Sequence, residues 1–167
     1  ANELDIKVKT IHNYGNRSIA EHAIALMFSA GRQITRMDRD IRSGVWETLD
    51  GIEFEHKTLG VIGTGGIGCE MIRIGSALGM KVLAWNRSGT PSDIPCQECP
   101  LDDLISKSDV ISLHLALNND TKEMINSRRI SLMQPHALFI NTSRGAVVDE
   151  KALILALKNK SIAYAGL

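Results

Sequence analysis

The sequence predicts an α/β domain built on a doubly wound parallel sheet, with an additional long helix on its N-terminal side. Three observations predict it. Short apolar runs alternate along the chain with longer amphipathic stretches. The runs are apolar throughout rather than at every second position, as expected where helices cover both faces of a sheet. One run, Thr58–Ile62, leads straight into the loop Gly63-Thr64-Gly65-Gly66-Ile67-Gly68, which opens a helical stretch.

Taken in chain order, Ile6-Lys7-Val8 reads as a strand already in progress. Ser18-Ile19-Ala20-Glu21 is a capping-box pattern, in which each side chain satisfies a free N–H at a helix start. Apolar residues then recur at Ile19, Ala23, Leu26, Met27, Ala30, Ile34, Met37 and Ile41. That spacing predicts one helix over Ser18–Ser43, roughly seven turns long, with a single apolar stripe. The stripe serves either core packing or contact with a second subunit, and the pattern alone leaves both open. Strands are expected at Thr58–Ile62, Lys81–Trp85, Val110–Leu115, Ala137–Asn141 and 162–167. Helices are expected at Ile67–Leu78, Leu101–Lys107, Asn126–Met133 and Asp149–Asn159, with Asp149 as the N-cap of the last. Gly89–Pro100 reads as loop, and Trp46 and Trp85 read as packing residues.

A chain of 167 residues with 44% hydrophobic content has enough apolar surface for one cored domain. Nineteen basic residues balance nineteen acidic ones, so charge draws the chain neither to nucleic acid nor to an acidic membrane surface. The apolar stretch Ala23–Phe28 is too short to span a bilayer, and no secretory signal opens the sequence. Three cysteines cannot form a disulfide framework, which points to a reducing cytoplasm. The first residue is not Met and strand-like residues stand at both ends, so residues 1–167 are expected to be a piece truncated at both ends. Cys96-Gln97-Glu98-Cys99 has ligand spacing, but no second pair stands near it in sequence. His12, His22, His56 and His136 share no ligand spacing either, so no metal is expected.

The glycine loop carries the first functional reading. Gly63 permits a tight turn, Gly65 lets backbone approach a pyrophosphate, and Gly68 lets the helix pack close on its strand. Free N–H groups and the helix dipole then attract phosphates, so a dinucleotide is the expected ligand. Its ribose should be read at the end of the next strand, where an acidic residue selects NAD. Asn86-Arg87-Ser88 stands there with no carboxylate. These side chains can donate hydrogen bonds to a 2′-phosphate, so NADP is favoured over NAD. The alternative is NAD bound through Asn86, with Arg87 a solvated cation. Farther on, Asn141-Thr142-Ser143-Arg144-Gly145 follows a strand, which puts Arg144 at the carboxyl edge of the sheet. A guanidinium there can hold a carboxylate bidentately and polarise a neighbouring carbonyl, while Thr142 and Ser143 face the cofactor.

Four motifs in this order carry a resemblance. Ala20-Glu21-His22, Lys57–Gly68, Ser108-Asp109-Val110-Ile111-Ser112-Leu113-His114 and Asn141–Glu150 resemble the nucleotide-binding, Rossmann-type domain of the D-isomer-specific 2-hydroxyacid dehydrogenases. The resemblance implies hydride transfer between NAD(P)H and a small 2-oxo or 2-hydroxy acid. It implies backbone contacts to the pyrophosphate from Gly66 and Ile67, with Asn86 in the position of the acidic ribose binder. Leu115 and Asp120 would lie along the cofactor, and Thr142 and Ser143 would border the nicotinamide. Arg144 would be the catalytic arginine, and the Ser18–Ser43 helix a homodimer interface. The family's proton-donating histidine, its glutamate and an aspartate at the nicotinamide would lie beyond Leu167, with most of the substrate domain. The proline and threonine usual after His114 are replaced by Ala116 and Asn118. A dinucleotide-sensing interaction protein on the same fold, like the dehydrogenase-related corepressors, is the alternative function.

Overall fold

The computed structural model describes residues 7–11 and 13–167. Five of the six strands are those expected: β1 (Thr58–Ile62), β2 (Lys81–Trp85), β4 (Val110–Leu113), β5 (Leu138–Asn141) and β6 (Tyr164–Gly166). The sixth, β3 (Gln97–Glu98), lies within the stretch expected to be loop. It is a two-residue edge strand whose residues are both exposed, so it carries no apolar pattern to read. Helices α1 (Asn16–Gly31), α2 (Ile34–Arg42), α3 (Gly66–Ala77), α4 (Leu101–Lys107), α5 (Ser127–Ile130) and α6 (Glu150–Lys158) complete the order. All strands run parallel in the order β3-β2-β1-β4-β5-β6, so β1 and β4 sit side by side at the centre where the winding reverses.

Both faces of the sheet are buried, and residue alternation assigns each side chain to one of two cores. Leu59, Val61, Val110, Leu138 and Ile140 pack with Ala23, Met27, Met71 and Ile72 of α1 and α3. Ile62, Ile111, Leu113 and Phe139 pack on the other face with Leu104, Ile105 and Leu153 of α4 and α6. No position in β1, β4 or β5 is exposed, which is why these runs show no polar alternation. At the amino edge, Asp109 ties three strands together. Its Oδ2 accepts from the Thr58 N–H at 2.7 Å, and its Oδ1 meets His136 Nε2 at 2.7 Å.

The single helix expected over Ser18–Ser43 is two helices. Gly31 lies so close to Phe54 that an added Cβ would strike the ring, and the Gly31 carbonyl accepts from Ile52 N–H at 2.8 Å. Gln33 then adopts a left-handed backbone, φ 53°, and α2 departs in a new direction. The apolar stripe divides accordingly. Ala20, Ala23, Met27 and Gly31 of α1 are buried in the domain's own core, whereas α2 buries no residue. The capping box is also absent: the helix begins at Asn16, Ser18 Oγ donates back to the Gly15 carbonyl, and Glu21 pairs with Arg17. Asp149 does cap α6, accepting from Ala152 N–H at 3.0 Å. Of the strand expected at Ile6-Lys7-Val8, Ile6 lies outside the described residues, while Lys7 and Val8 are irregular and exposed. Trp85 packs against a core, but Trp46 is 84% exposed. Among the described residues no helix is long and apolar enough to cross a membrane.

Candidate dinucleotide and substrate site

Every residue expected in the site emerges at the carboxyl edge of the sheet, on the turns after β1, β2, β4 and β5. The β1 turn is built by its glycines. Gly63 has φ 96°, and its N–H donates to the Trp85 carbonyl at 2.8 Å, which ties the turn to the end of β2. A Cβ on Gly68 would fall on the Gly63 carbonyl oxygen, so only glycine allows α3 to start so close to its strand. A Cβ on Gly65 would meet nothing within 4 Å. The space beside it is open in the domain, as a backbone-cradled pyrophosphate requires.

No side chain caps the start of α3, which leaves the first N–H groups of the helix, on Gly66 and Ile67, free for an anion. Two buried side-chain oxygens among the described residues have no hydrogen-bond partner, Thr64 Oγ1 and Thr142 Oγ1. One stands in the glycine loop and the other on the turn after β5. Unpaired buried hydroxyls are costly, and these two flank the place where a dinucleotide would run. Free donors, open space beside Gly65 and two orphan hydroxyls fit such a cofactor.

Thr142, Ser143 and Arg144 share a cleft of about 470 Å³ with Ile67, His114 and Leu115. The turn is rigid: Asn141 Oδ1 accepts from both Ser143 N–H and Ser143 Oγ, at 2.9 and 2.7 Å. Arg144 Nη1 donates to the Ser143 carbonyl at 2.9 Å, and the exposed guanidinium has no carboxylate partner among the described residues. Such an arginine is available to an acid in the cleft. His114 Nε2 lies 3.0 Å from Ser112 Oγ, and burial pushes its imidazole down to about 4. It is therefore neutral at physiological pH and does not offer an imidazolium proton.

The ribose end differs in detail from the sequence expectation. Asn86 spends its amide donors on its own turn, giving to Ser88 Oγ at 3.0 Å and to the Gly89 carbonyl at 2.9 Å. Arg87 reaches across to the loop after β4, where its Nη1 lies 2.6 Å from Asp120 Oδ2. Asp120 is held there by Asn118, whose Oδ1 accepts from the N–H groups of Asp120 and Thr121 at 2.9 and 3.0 Å. This pairing spans the gap between residues 86–88 and the cleft at Arg144.

Asn16, which carried no sequence signal, lies with its side chain over Gly66, where it would meet an added Cβ. Cys96 and Cys99 flank the edge strand β3, and no group of three or more His, Cys, Asp or Glu residues gathers for a metal among the described residues. His12 lies outside those residues.

Fold and site together define a dinucleotide-binding type of α/β domain, with Arg144 lining a cleft beside the start of α3. The chain belongs to the D-isomer specific 2-hydroxyacid dehydrogenases: residues 24–167 match that family's NAD binding domain. It is 37% identical to a hydroxypyruvate reductase of Thermotoga maritima over 169 residues, which cover all of this chain and 55% of that protein. It is similar to the D-lactate dehydrogenase of Lactobacillus jensenii solved with NAD+, with a TM-score of 0.90 and 34% identity over 100% of this chain and 52% of that one. An acyclic imino acid reductase in complex with NADPH and D-Arg is similar at TM-score 0.88 and 38% identity, over 92% and 51% of the two chains. The chain thus spans about half the length of the relatives it matches. Relatives of this kind favour an oxidoreductase over the interaction-protein alternative.

Proposed function

We propose that residues 1–167 form the cofactor domain of an NAD(P)-dependent D-2-hydroxyacid dehydrogenase, of the hydroxypyruvate or glyoxylate reductase or phosphoglycerate dehydrogenase type. The observation that carries this reading is Arg144, with no carboxylate partner among the described residues and sharing one cleft with Thr142, Ser143 and Ile67 of the α3 start. A bound nicotinamide dinucleotide supplies the hydride. The first N–H groups of α3 hold its diphosphate, and Thr142 and Ser143 border the nicotinamide side. Arg144 binds the substrate carboxylate and draws electron density from the neighbouring carbonyl oxygen, which orients and activates that carbon. The neutral His114 lines the cleft and is not the proton donor in this reading.

NADP is favoured over NAD because Asn86 stands where an acidic ribose binder would repel a 2′-phosphate, and Ser88 and, once released from Asp120, Arg87 can meet one. A second copy of this chain covers α2 and the residues after it, where Ile34, Ile41, Val45 and Trp46 are exposed beside arginines and aspartates that can complement themselves across a two-fold axis. The three free thiols, each made less acidic by burial, suit a reducing cytoplasm. The test is a spectrophotometric screen of 2-oxo acids with NADH and NADPH, using the whole protein. Reduction of hydroxypyruvate or glyoxylate is expected, and no turnover of any 2-oxo acid would refute the proposal.

A further inference from the structure

The side chains that could recognise a ribose 2′-phosphate are not equally free. Both amide hydrogens of Asn86 are committed to its own turn, one to Ser88 Oγ and one to the Gly89 carbonyl. What Asn86 has left is its carbonyl oxygen, an acceptor, which suits a ribose hydroxyl and not a phosphate. Ser88 retains one hydroxyl hydrogen. The cation of the 86–88 turn is Arg87, and it is engaged by Asp120 at 2.6 Å.

Asp120 comes from a different strand end, and its place does not depend on Arg87. Asn118 Oδ1 fixes the Asp120 backbone, and Thr121 Oγ1 donates to the Ala116 carbonyl at 2.7 Å, closing the same short loop. The tip of β2 lacks a carboxylate in sequence, yet the fold delivers one to the Arg87 guanidinium from the loop after β4. A ribose 2′-phosphate approaching Arg87 meets that carboxylate as well, and the two anions repel.

We infer that Asp120 is a specificity-determining residue: by pairing with Arg87 it withholds the guanidinium from a 2′-phosphate and holds down the preference for NADP over NAD. The inference rests on the dinucleotide reading above and deepens it. Both partners are largely exposed, 74% for Arg87 and 71% for Asp120, so the pair opens readily and its own contribution to stability is small. Its effect on selectivity is electrostatic. A carboxylate a few ångströms from a group of nearly two negative charges raises the dissociation constant by roughly five-fold in water at moderate salt.

The experiment measures dissociation constants of NADPH and NADH by nicotinamide fluorescence, on the whole protein and without substrate. Asp120→Asn should raise the ratio of the NADH to the NADPH constant by roughly five-fold, and less at high salt. Arg87→Ala should lower that ratio, and Asp120→Asn added to Arg87→Ala should raise it by less than in the parent, since no guanidinium remains to be released. An unchanged ratio in Asp120→Asn, or an equal shift in the Arg87→Ala background, overturns the inference while leaving the dinucleotide reading intact. Failure of the parent protein to bind either dinucleotide overturns the reading itself.

Discussion

The Cα of Gly68 faces the carbonyl oxygen of Gly63 so closely that a methyl group there would occupy the oxygen's position. Backbone, not a flexible side chain, fills the space, so Gly68→Ala forces α3 away from β1. That change should destabilise the fold by about 3 kcal/mol and abolish dinucleotide binding. Gly65 provides the contrast. Its backbone is extended, with φ −69° and ψ −173°, and nothing lies within 4 Å of an added Cβ. Gly65→Ala should leave the unfolding free energy within about 0.5 kcal/mol of the parent. It should weaken dinucleotide binding by on the order of ten-fold or more, because the methyl occupies the path of the pyrophosphate. Urea unfolding and a binding titration on both variants check this, and equal affinity of Gly65→Ala and parent would remove the loop from the site.

Arg144 is tested by separating binding from turnover. Among the described residues its guanidinium bonds to the adjacent Ser143 carbonyl and to no carboxylate, so removing the side chain breaks no ion pair. Arg144→Ala in the whole protein should cut kcat/KM for a 2-oxo acid by on the order of a thousand-fold, and cofactor affinity should change little. Arg144→Lys should recover only part of the loss, since an ammonium cannot bind a carboxylate bidentately. Full activity in either variant would exclude Arg144 from the mechanism.

Much of this arrangement was legible in the sequence because it is local. The glycine loop and its flanking runs are fixed by spacing, and apolar runs such as Val110–Leu113 and Leu138–Asn141 mark strands buried on both faces. What was not legible depends on contacts between distant residues. The break at Gln33 follows from Gly31 meeting Phe54, twenty-odd residues on, and no local pattern announces it. Arg87 and Asp120 are 33 positions apart, and their pairing needs β2 and β4 to end on the same edge of the sheet. Thr64 and Thr142 look like ordinary loop hydroxyls until burial leaves both without a partner. Asp109, quoted among the motif residues, proves to be a clamp at the opposite edge from the site.

His114 makes stability depend on pH in a definite direction. Its imidazole titrates at about 4 in the fold because burial disfavours the charged ring, against about 6.5 in an unfolded chain. Between those values the unfolded chain holds a proton that the folded one lacks. The stabilisation is therefore complete above about pH 6.5 and is lost as pH falls toward 4, by up to about 3 kcal/mol in all. Urea unfolding at about pH 7 and about pH 5 should show a drop of about 2 kcal/mol from this group, absent in His114→Gln. Equal drops in the parent and the variant would show that His114 is not the group responsible.

The division of the N-terminal stripe tells where a subunit contact can be tested cleanly. Leu26 packs against Gly166 in β6, so a charge at Leu26 would damage the domain and could not report on association. The residues beyond the Gln33 break are different, since Ile34 and Ile41 are half exposed and Trp46 is 84% exposed. A large aromatic in water on one protomer is the kind of anchor that dominates a protein interface when covered. Sedimentation of the whole protein should give a dimer, and Ile41→Glu with Trp46→Glu should give a monomer whose domain unfolds at an unchanged urea midpoint when both are measured on residues beyond the interface at low protein concentration. A monomeric parent, or a dimer that survives both charges, would assign this surface to a contact other than a second copy of the chain.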